Sequence, residues 1–440
     1  MSAWPDRVRP IECFDRIGRV VEVRGLSIEA EGPDAFLGEI CAIQSNWGGE
    51  PIEAEVVAFR DGRVCLTPLS SAHGLSIGAR VTAKGHPFQC PVGDAFLGRI
   101  VDARGRPIDG KPDVVSTEVR GLSTVARPVL TRQRITEVLA TGVKSIDAFL
   151  PLGKGQRVGL FAGSGVGKST LLGMITQGVQ ADVNVVALIG ERGREVREFV
   201  EDHLGPQGLA RSVVIVATAD APAALRLNAA YYATTMAEYF RDQGLSVVLT
   251  VDSLTRLAMA RREIGLAAGE PPTSRGYTPS IFSEIPALCE RCGTDDGKGA
   301  ITGIYTVLVE GDDANEPVSD TARATLDGHI MLTRALASSG HYPPIDVLTS
   351  VSRLASSLWQ PEQRQLVSMM RDRLATHERN RQLVEIGAHR PGANAELDLA
   401  VRTMPDLKKF LTQSADVQHG LAQTWAELAD VARRNPEPSA

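Results

Sequence analysis

Lysine is scarce in this chain of 440 residues: of 47 basic residues, eight are lysine and 39 are arginine. A lysine inside a motif is therefore informative. Aromatic residues make up only 5%. No apolar run approaches the roughly 18 residues needed to span a bilayer. Charges and prolines break up the first 25 residues, which excludes a secretory signal. The chain reads as cytoplasmic. A net charge of −6 excludes a protein built mainly to coat nucleic acid, although a local basic channel stays open. Six cysteines, at 13, 41, 65, 90, 289 and 292, are too few for a disulfide framework. Cys289 and Cys292 form a C-x-x-C, yet no second such pair or paired histidines complete a zinc site. Residues 281–293 read as an amphipathic helix ending at Gly293, with both thiols as packing groups.

What is present is ordinary globular composition, 43% hydrophobic and 23% charged, which excludes wholesale disorder. At the usual domain size the length predicts two to four domains. Residues 14 to about 85 carry short alternating apolar runs punctuated by Gly, Pro and Asp-Gly, the pattern of a small β-barrel or sandwich. Asp61-Gly62 predicts a hairpin turn. The pentapeptide DAFLG occurs at 34–38 and again at 94–98, read as two similar turn-to-strand entries or as chance. From about 86 to 155 the chain is irregular and rich in Gly and Pro, and should wrap the domain that follows. Beyond 155, six apolar runs alternate with helical stretches, which argues for a parallel, doubly covered α/β sheet. From about 361 the spacing turns helical, and 434–440 reads as a frayed tail.

The strongest signal is GLFAGSGVGKSTLLGMI at 159–175, an apolar strand running into a glycine-rich loop and an apolar helix. Gly163, Gly165 and Gly167, interleaved with Ser164 and Val166, let successive backbone N–H groups face one anion, and the helix adds its positive end. Lys168 suits the β- and γ-phosphates, and the hydroxyl of Ser169, next to Thr170, suits Mg²⁺. Ala162 replaces the first glycine of the strict P-loop pattern. The run VVLTVDS ends in Asp252, placed to support a Mg²⁺ shell or merely to cap a helix. Between these, Glu191 follows a strand and a glycine. It either positions an attacking water, braced by Arg192 and Arg194, or belongs to solvated ion pairs. Tyr342, before Pro-Pro, could stack on a purine; spacing alone does not carry Arg353 to a phosphate.

Taken together, PVGDAFLGRIVDARGRPIDG (91–110), GKGQRVGLFAGSGVGKSTLLGMI (153–175), ALIGERGREVREFVEDHLG (187–205), the segment 251–293 and YPPIDVLTSVSRL (342–354) resemble the flagellar protein export ATPases. These are the flagellar branch of the type III secretion ATPases, related to the catalytic subunit of rotary ATP synthases. The resemblance implies an N-terminal β-barrel domain (1–85), a central RecA-like α/β P-loop ATPase domain with a parallel sheet (86–360) and a C-terminal helical domain (361–440). It implies ATP and Mg²⁺ as cofactors, with 163–170 on phosphate and Ser169 and Asp252 at the metal. It makes Glu191 the catalytic glutamate, with Lys168, Arg192 and Arg353 as further catalytic groups. Arg353 would be an arginine finger given to a neighbour, and Tyr342 the adenine-stacking residue. Arg256 would lie beside the γ-phosphate. The implied partners are further copies in a homohexamer, export-apparatus regulator and stalk proteins, the membrane export gate, and exported flagellar subunits with their chaperones. Nucleic acid is not expected, because the barrel offers few aromatics and charges of both signs. The implied location is cytoplasmic, at the inner face of the membrane. An injectisome ATPase is the alternative with the same chemistry.

Overall fold

The computed structural model describes residues 15–45, 48–116, 118–122, 128–297, 299–309 and 316–436. Cys13, Phe14 and Trp47 lie outside them, as do 437–440 of the expected tail.

Six antiparallel strands close the N-terminal barrel: β1 (Ile17–Arg24), β2 (Ser27–Glu31), β3 (Glu39–Gln44), β4 (Ile52–Arg60), β5 (Arg63–Pro68) and β6 (Arg80–Pro87). Their order is β1-β2-β5-β4-β3-β6. Val20, Ile28, Ala30, Ile43, Val56 and Leu66 point inward into one small core. Buried and less buried residues alternate around Ile28 and Ala30 in β2, whereas β3 and β5 are buried along almost their whole length. The predicted hairpin forms with Asp61 and Gly62 at φ 50° and 74°, and Arg60 pairs Arg63. Left-handed backbone at both central positions is the turn that matches strand twist. The two DAFLG pentapeptides both lead into strands, with Gly38 and Gly98 at φ 83° and 75°. Their contexts differ: Phe36 is exposed and Phe96 buried.

The six apolar runs form strands of one parallel sheet. β8 (Arg157–Ala162), β9 (Val183–Ile189), β10 (Ser212–Ala217), β11 (Ser246–Asp252), β12 (Ala300–Leu308) and β13 (Gly328–Leu332) are joined by two edge strands, β7 (Arg99–Asp102) and β14 (Val351–Ser352). The order is β14-β13-β8-β12-β11-β9-β10-β7, and Gly293–Thr294 pairs separately with β12. β7 departs from the expectation that 86–155 only wraps the domain. It runs parallel to β10, with Val101 buried. Four residues with a charge at each end are too few for a periodic signal, so only tertiary pairing reveals the strand. The C-x-x-C helix spans Pro279–Cys289 and stops before the expected Gly293, which lies in the short strand instead.

Three helices dominate the C-terminal part: Pro361–Arg379, Ala395–Leu411 and Leu421–Arg434. The first is opened by a reciprocal capping box of Gln360 and Gln363 with Pro361 at the first position. The core does not break at the start of these helices. Phe410 packs on Phe149 with ring centroids 6.3 Å apart. Leu407, Leu428 and Val431 belong to the same apolar cluster as Leu171 and Ile175 behind the glycine-rich loop. Asn435 is buried, and its carbonyl accepts from the buried Arg373 at 2.9 Å. The tail is therefore tied down through 435, two residues further than its polarity suggests.

Candidate nucleotide site

Because β8 to β13 run parallel, their C-terminal ends lie on one side, and the loops that follow them converge. β8 leads into the 162–167 loop and the helix α1 (Lys168–Gly178). Gly165 and Gly167 lie at φ 74° and 102°. The left-handed backbone explains both glycines, since a side chain would be strained there. Val166 is buried and pins the loop from beneath, while Ser164, Gly165 and Ser169 are exposed at its mouth.

Lys168 faces the ends of the neighbouring strands. Its ammonium pairs with Asp252 Oδ1 and lies 3.5 Å from Glu191 Oε1. Asp252 is the last residue of β11 and almost fully buried; Thr306 donates to its Oδ1 at 2.6 Å. The helix-capping alternative for Asp252 falls to the next residue. Ser253 Oγ accepts from the N–H of Arg256 at 3.2 Å, opening α2 (Leu254–Ala267). Glu191 follows Gly190, whose φ of 68° and lack of a side chain admit Arg256; a Cβ there would come within 3.1 Å of the arginine stem. Arg256 Nε is buried with no hydrogen-bond partner among the described residues. Two cations and two carboxylates thus share a partly dry corner.

Burial pushes the Glu191 carboxyl up to about 7. Lys168 opposes this, Asp252 and a hydrogen bond with Glu195 reinforce it, and Arg256 opposes it. Glu195 moves down, chiefly through the same bond to Glu191. A carboxylate poised near neutrality beside a phosphate-type loop can orient and activate water.

Tyr342 is half exposed, and its ring edge lies beside the loop, 3.9 Å from where a Cβ on Gly167 would stand. The loop, Lys168, Glu191, Asp252, Arg256 and Tyr342 therefore meet. Three predicted residues do not join them. The Arg194 side chain is exposed and pairs with Glu198 at 2.7 Å rather than bracing Glu191. The Arg192 side chain is 79% exposed and pairs with Glu195 at 3.4 Å. Arg353 is exposed at the other end of the sheet: its N–H donates to Asp327, which holds Arg157 at the start of β8. The length of that strand, about 20 Å, separates it from Lys168.

Three contacting residues escaped the sequence reading. Thr306 had a usable signal, a polar residue inside the apolar run ITGIYTVLV. Arg334, whose Nη2 lies 3.5 Å from the Ser164 carbonyl, had only a strand-end position. Glu195 looked like part of a charge run.

Cys289 and Cys292 are fully buried, with Cys292 Sγ 3.0 Å from the Tyr305 hydroxyl. Burial pushes the Cys292 thiol up to about 11, so it is no reactive thiolate. Among the described residues no cluster of His, Cys, Asp or Glu side chains could hold a metal by itself, and no helix is long and apolar enough to cross a membrane.

Three family models match. The ATP synthase alpha/beta β-barrel domain covers 20–85, the nucleotide-binding domain of the same family 142–352, and the T3SS EscN ATPase C-terminal domain 359–430. The flagellum-specific ATP synthase of Bacillus subtilis (strain 168) is 47% identical over 432 residues, 97% of each chain. A type 3 secretion system ATPase of Sinorhizobium fredii (strain NBRC 101917 / NGR234) is 47% identical over 399 residues, 91% of this chain and 88% of that one. The assembled ATPase EscN of the enteropathogenic E. coli type III secretion system superposes with a TM-score of 0.90 at 41% identity, over 94% of this chain and 99% of that one. EscN has also been solved in complex with its central stalk EscO.

Proposed function

From the premise that this chain belongs to the flagellum-specific and type III secretion ATPases, within the ATP synthase alpha/beta family, we propose that its ATP hydrolysis drives export of flagellar proteins. It is an ATP hydrolase of the type III secretion class. The single observation that carries the site assignment is the placement of Lys168 between Asp252 and Glu191, beside a loop whose glycines hold left-handed backbone.

In this reading the N–H groups of 163–170 and the Lys168 ammonium grip the β- and γ-phosphates. Tyr342 stacks on the base. Glu191, ionised, orients the attacking water and receives its proton, and Arg256 faces the γ-phosphate. Ser169 and Asp252 offer a hydroxyl and a carboxylate, hard oxygen donors that fit Mg²⁺ with phosphate and water completing its shell. When bound, Mg²⁺ neutralises developing charge on the phosphate oxygens. Arg353 is too far from its own loop to serve it, which supports its role as a finger for a neighbouring subunit, with Arg192 at the same seam. A ring then follows, a homohexamer contacting a central stalk, as EscN assembles and meets EscO. The domain division at 85/86 and 360/361 belongs to this reading, as do the regulator protein, the export gate, cargo with chaperones, and a position at the inner face of the cytoplasmic membrane.

The injectisome reading has its own support, because the Sinorhizobium secretion ATPase is as identical as the Bacillus flagellar one. Deletion of the gene in its host separates the two. Loss of filament-protein export, restored by the native chain but not by Glu191→Gln, supports the flagellar reading. Normal motility with lost effector secretion overturns it in favour of the injectisome.

A further inference from the structure

Residues 412–420 form the turn between the last two helices, and Gln413 is its buried anchor. Its main-chain N–H donates to the carbonyl of Tyr342 at 2.9 Å. Its side-chain amide is used up. Nε2 donates to the carbonyls of Gly142 at 2.8 Å and Val417 at 2.7 Å, and Oε1 accepts from the N–H of Lys144 at 3.0 Å. A buried amide with both donors and its acceptor satisfied is fixed in orientation, and it fixes the main chain that carries it. Tyr342, by contrast, has an exposed ring, and the residues after it are Pro343 and Pro344, which restrict the backbone without supplying an N–H.

The turn has a second anchor. Gln418 Nε2 donates to the Met174 carbonyl on α1 at 3.2 Å. Its Oε1 fills the space where a Cβ on Gly142 or Gly178 would stand, 2.1 and 2.0 Å away. One glutamine thus serves the tyrosine side of the site and the other the helix behind the phosphate loop.

We propose that Gln413 is a positioning residue for the base side of the nucleotide site. Its amide locks the 412–417 turn to the 142–144 turn, and its N–H then holds Tyr342 with the ring beside Gly167. The inference rests on the reading of Tyr342 as the base-stacking residue. It adds that a residue of the C-terminal helical part, acting through Tyr342, sets discrimination between nucleotides and base-free phosphates.

The test compares ATP with tripolyphosphate, a probe with no base, binding to the full chain in the presence of Mg²⁺. Gln413→Ala should weaken ATP about tenfold, the scale of one base–aromatic stack. Tripolyphosphate affinity should stay within twofold. Tyr342→Ala should do the same, and the double variant should be no weaker than Tyr342→Ala alone, because both act through one contact. Gln413→Glu keeps the volume and the acceptor but cannot donate to the two carbonyls. It should behave like the alanine variant, and it carries the test if Gln413→Ala does not fold. Equal loss of both probes, unchanged ATP affinity, or additivity with Tyr342→Ala would overturn the proposal. If Tyr342→Ala itself leaves the ratio of the two affinities unaltered, the stacking role of Tyr342 falls first. If Tyr342→Ala changes the ratio and Gln413→Ala does not, only the positioning role falls.

Discussion

The ammonium of Lys168 is paired with the carboxylate of Asp252, across the strand that separates β8 from β11. Thr306, on that intervening strand, donates to the same carboxylate oxygen. The three residues lie 84 and 54 positions apart in sequence along these contacts. A parallel sheet makes them neighbours, because β8, β12 and β11 all end on the same side and bring the loop after β8, the last residues of β12 and the last residue of β11 together. The positive charge at the head of the phosphate loop is therefore held by a carboxylate that is itself fixed by a hydroxyl.

Replacing that lysine should be the most damaging single change. Lys168→Ala removes the cation that faces both Asp252 and Glu191 and leaves one buried and one partly buried carboxylate without it. Hydrolysis should fall by at least about a thousandfold, with ATP binding lost or strongly weakened in equilibrium titration. Hydrolysis near the native rate would remove the P-loop assignment.

Glu191→Gln keeps the shape of the site and removes the proton acceptor. Nucleotide should still bind, while turnover drops by roughly 10²–10⁴. The native enzyme should also show a pH limb that the variant lacks. Burial holds the Glu191 carboxyl at about 7, and only the ionised form can accept a proton. Turnover should therefore decline as pH falls through 7, approaching about tenfold per unit, and level off above it. A flat profile between pH 5.5 and 8.5 would argue against this carboxylate as the acceptor.

Arg353→Ala should leave nucleotide binding intact and slow hydrolysis about 10³–10⁵-fold, the usual worth of an arginine finger. In the native protein, activity should rise more steeply than protein concentration over the assembly range. Mixing Arg353→Ala with Glu191→Gln should restore part of the rate, since some seams then combine an intact glutamate with an intact arginine. No recovery at any mixing ratio points to action within one subunit or to a structural role.

The C-x-x-C should prove a packing feature. Cys292→Ala removes the sulfur 3.0 Å from the fully buried Tyr305 hydroxyl and leaves that hydroxyl to Cys289, at a cost of about 0.5–1.5 kcal/mol in denaturant unfolding. A zinc chelator should leave the melting temperature of the native chain unchanged. A chelator-induced fall in stability would mean that the thiols hold a metal.

Much of this molecule was legible in the chain itself. The alternation around Ile28 and Ala30 fixes which face of that barrel strand is buried, because a strand has a period of two. Asp61-Gly62 dictates its own turn, and the run ending in Lys168 dictates strand, anion-facing loop and helix in order. These are local rules, in which a few neighbouring residues decide the outcome. The edge strand Arg99–Asp102, the meeting of Thr306 with Asp252, the distance of Arg353 from its own loop and the grip of Gln413 on Tyr342 obey no local rule. Each depends on which strands adjoin and on which turn packs against which. Only burial of the shared core, with the hydrogen bonds it forces to close, determines that arrangement.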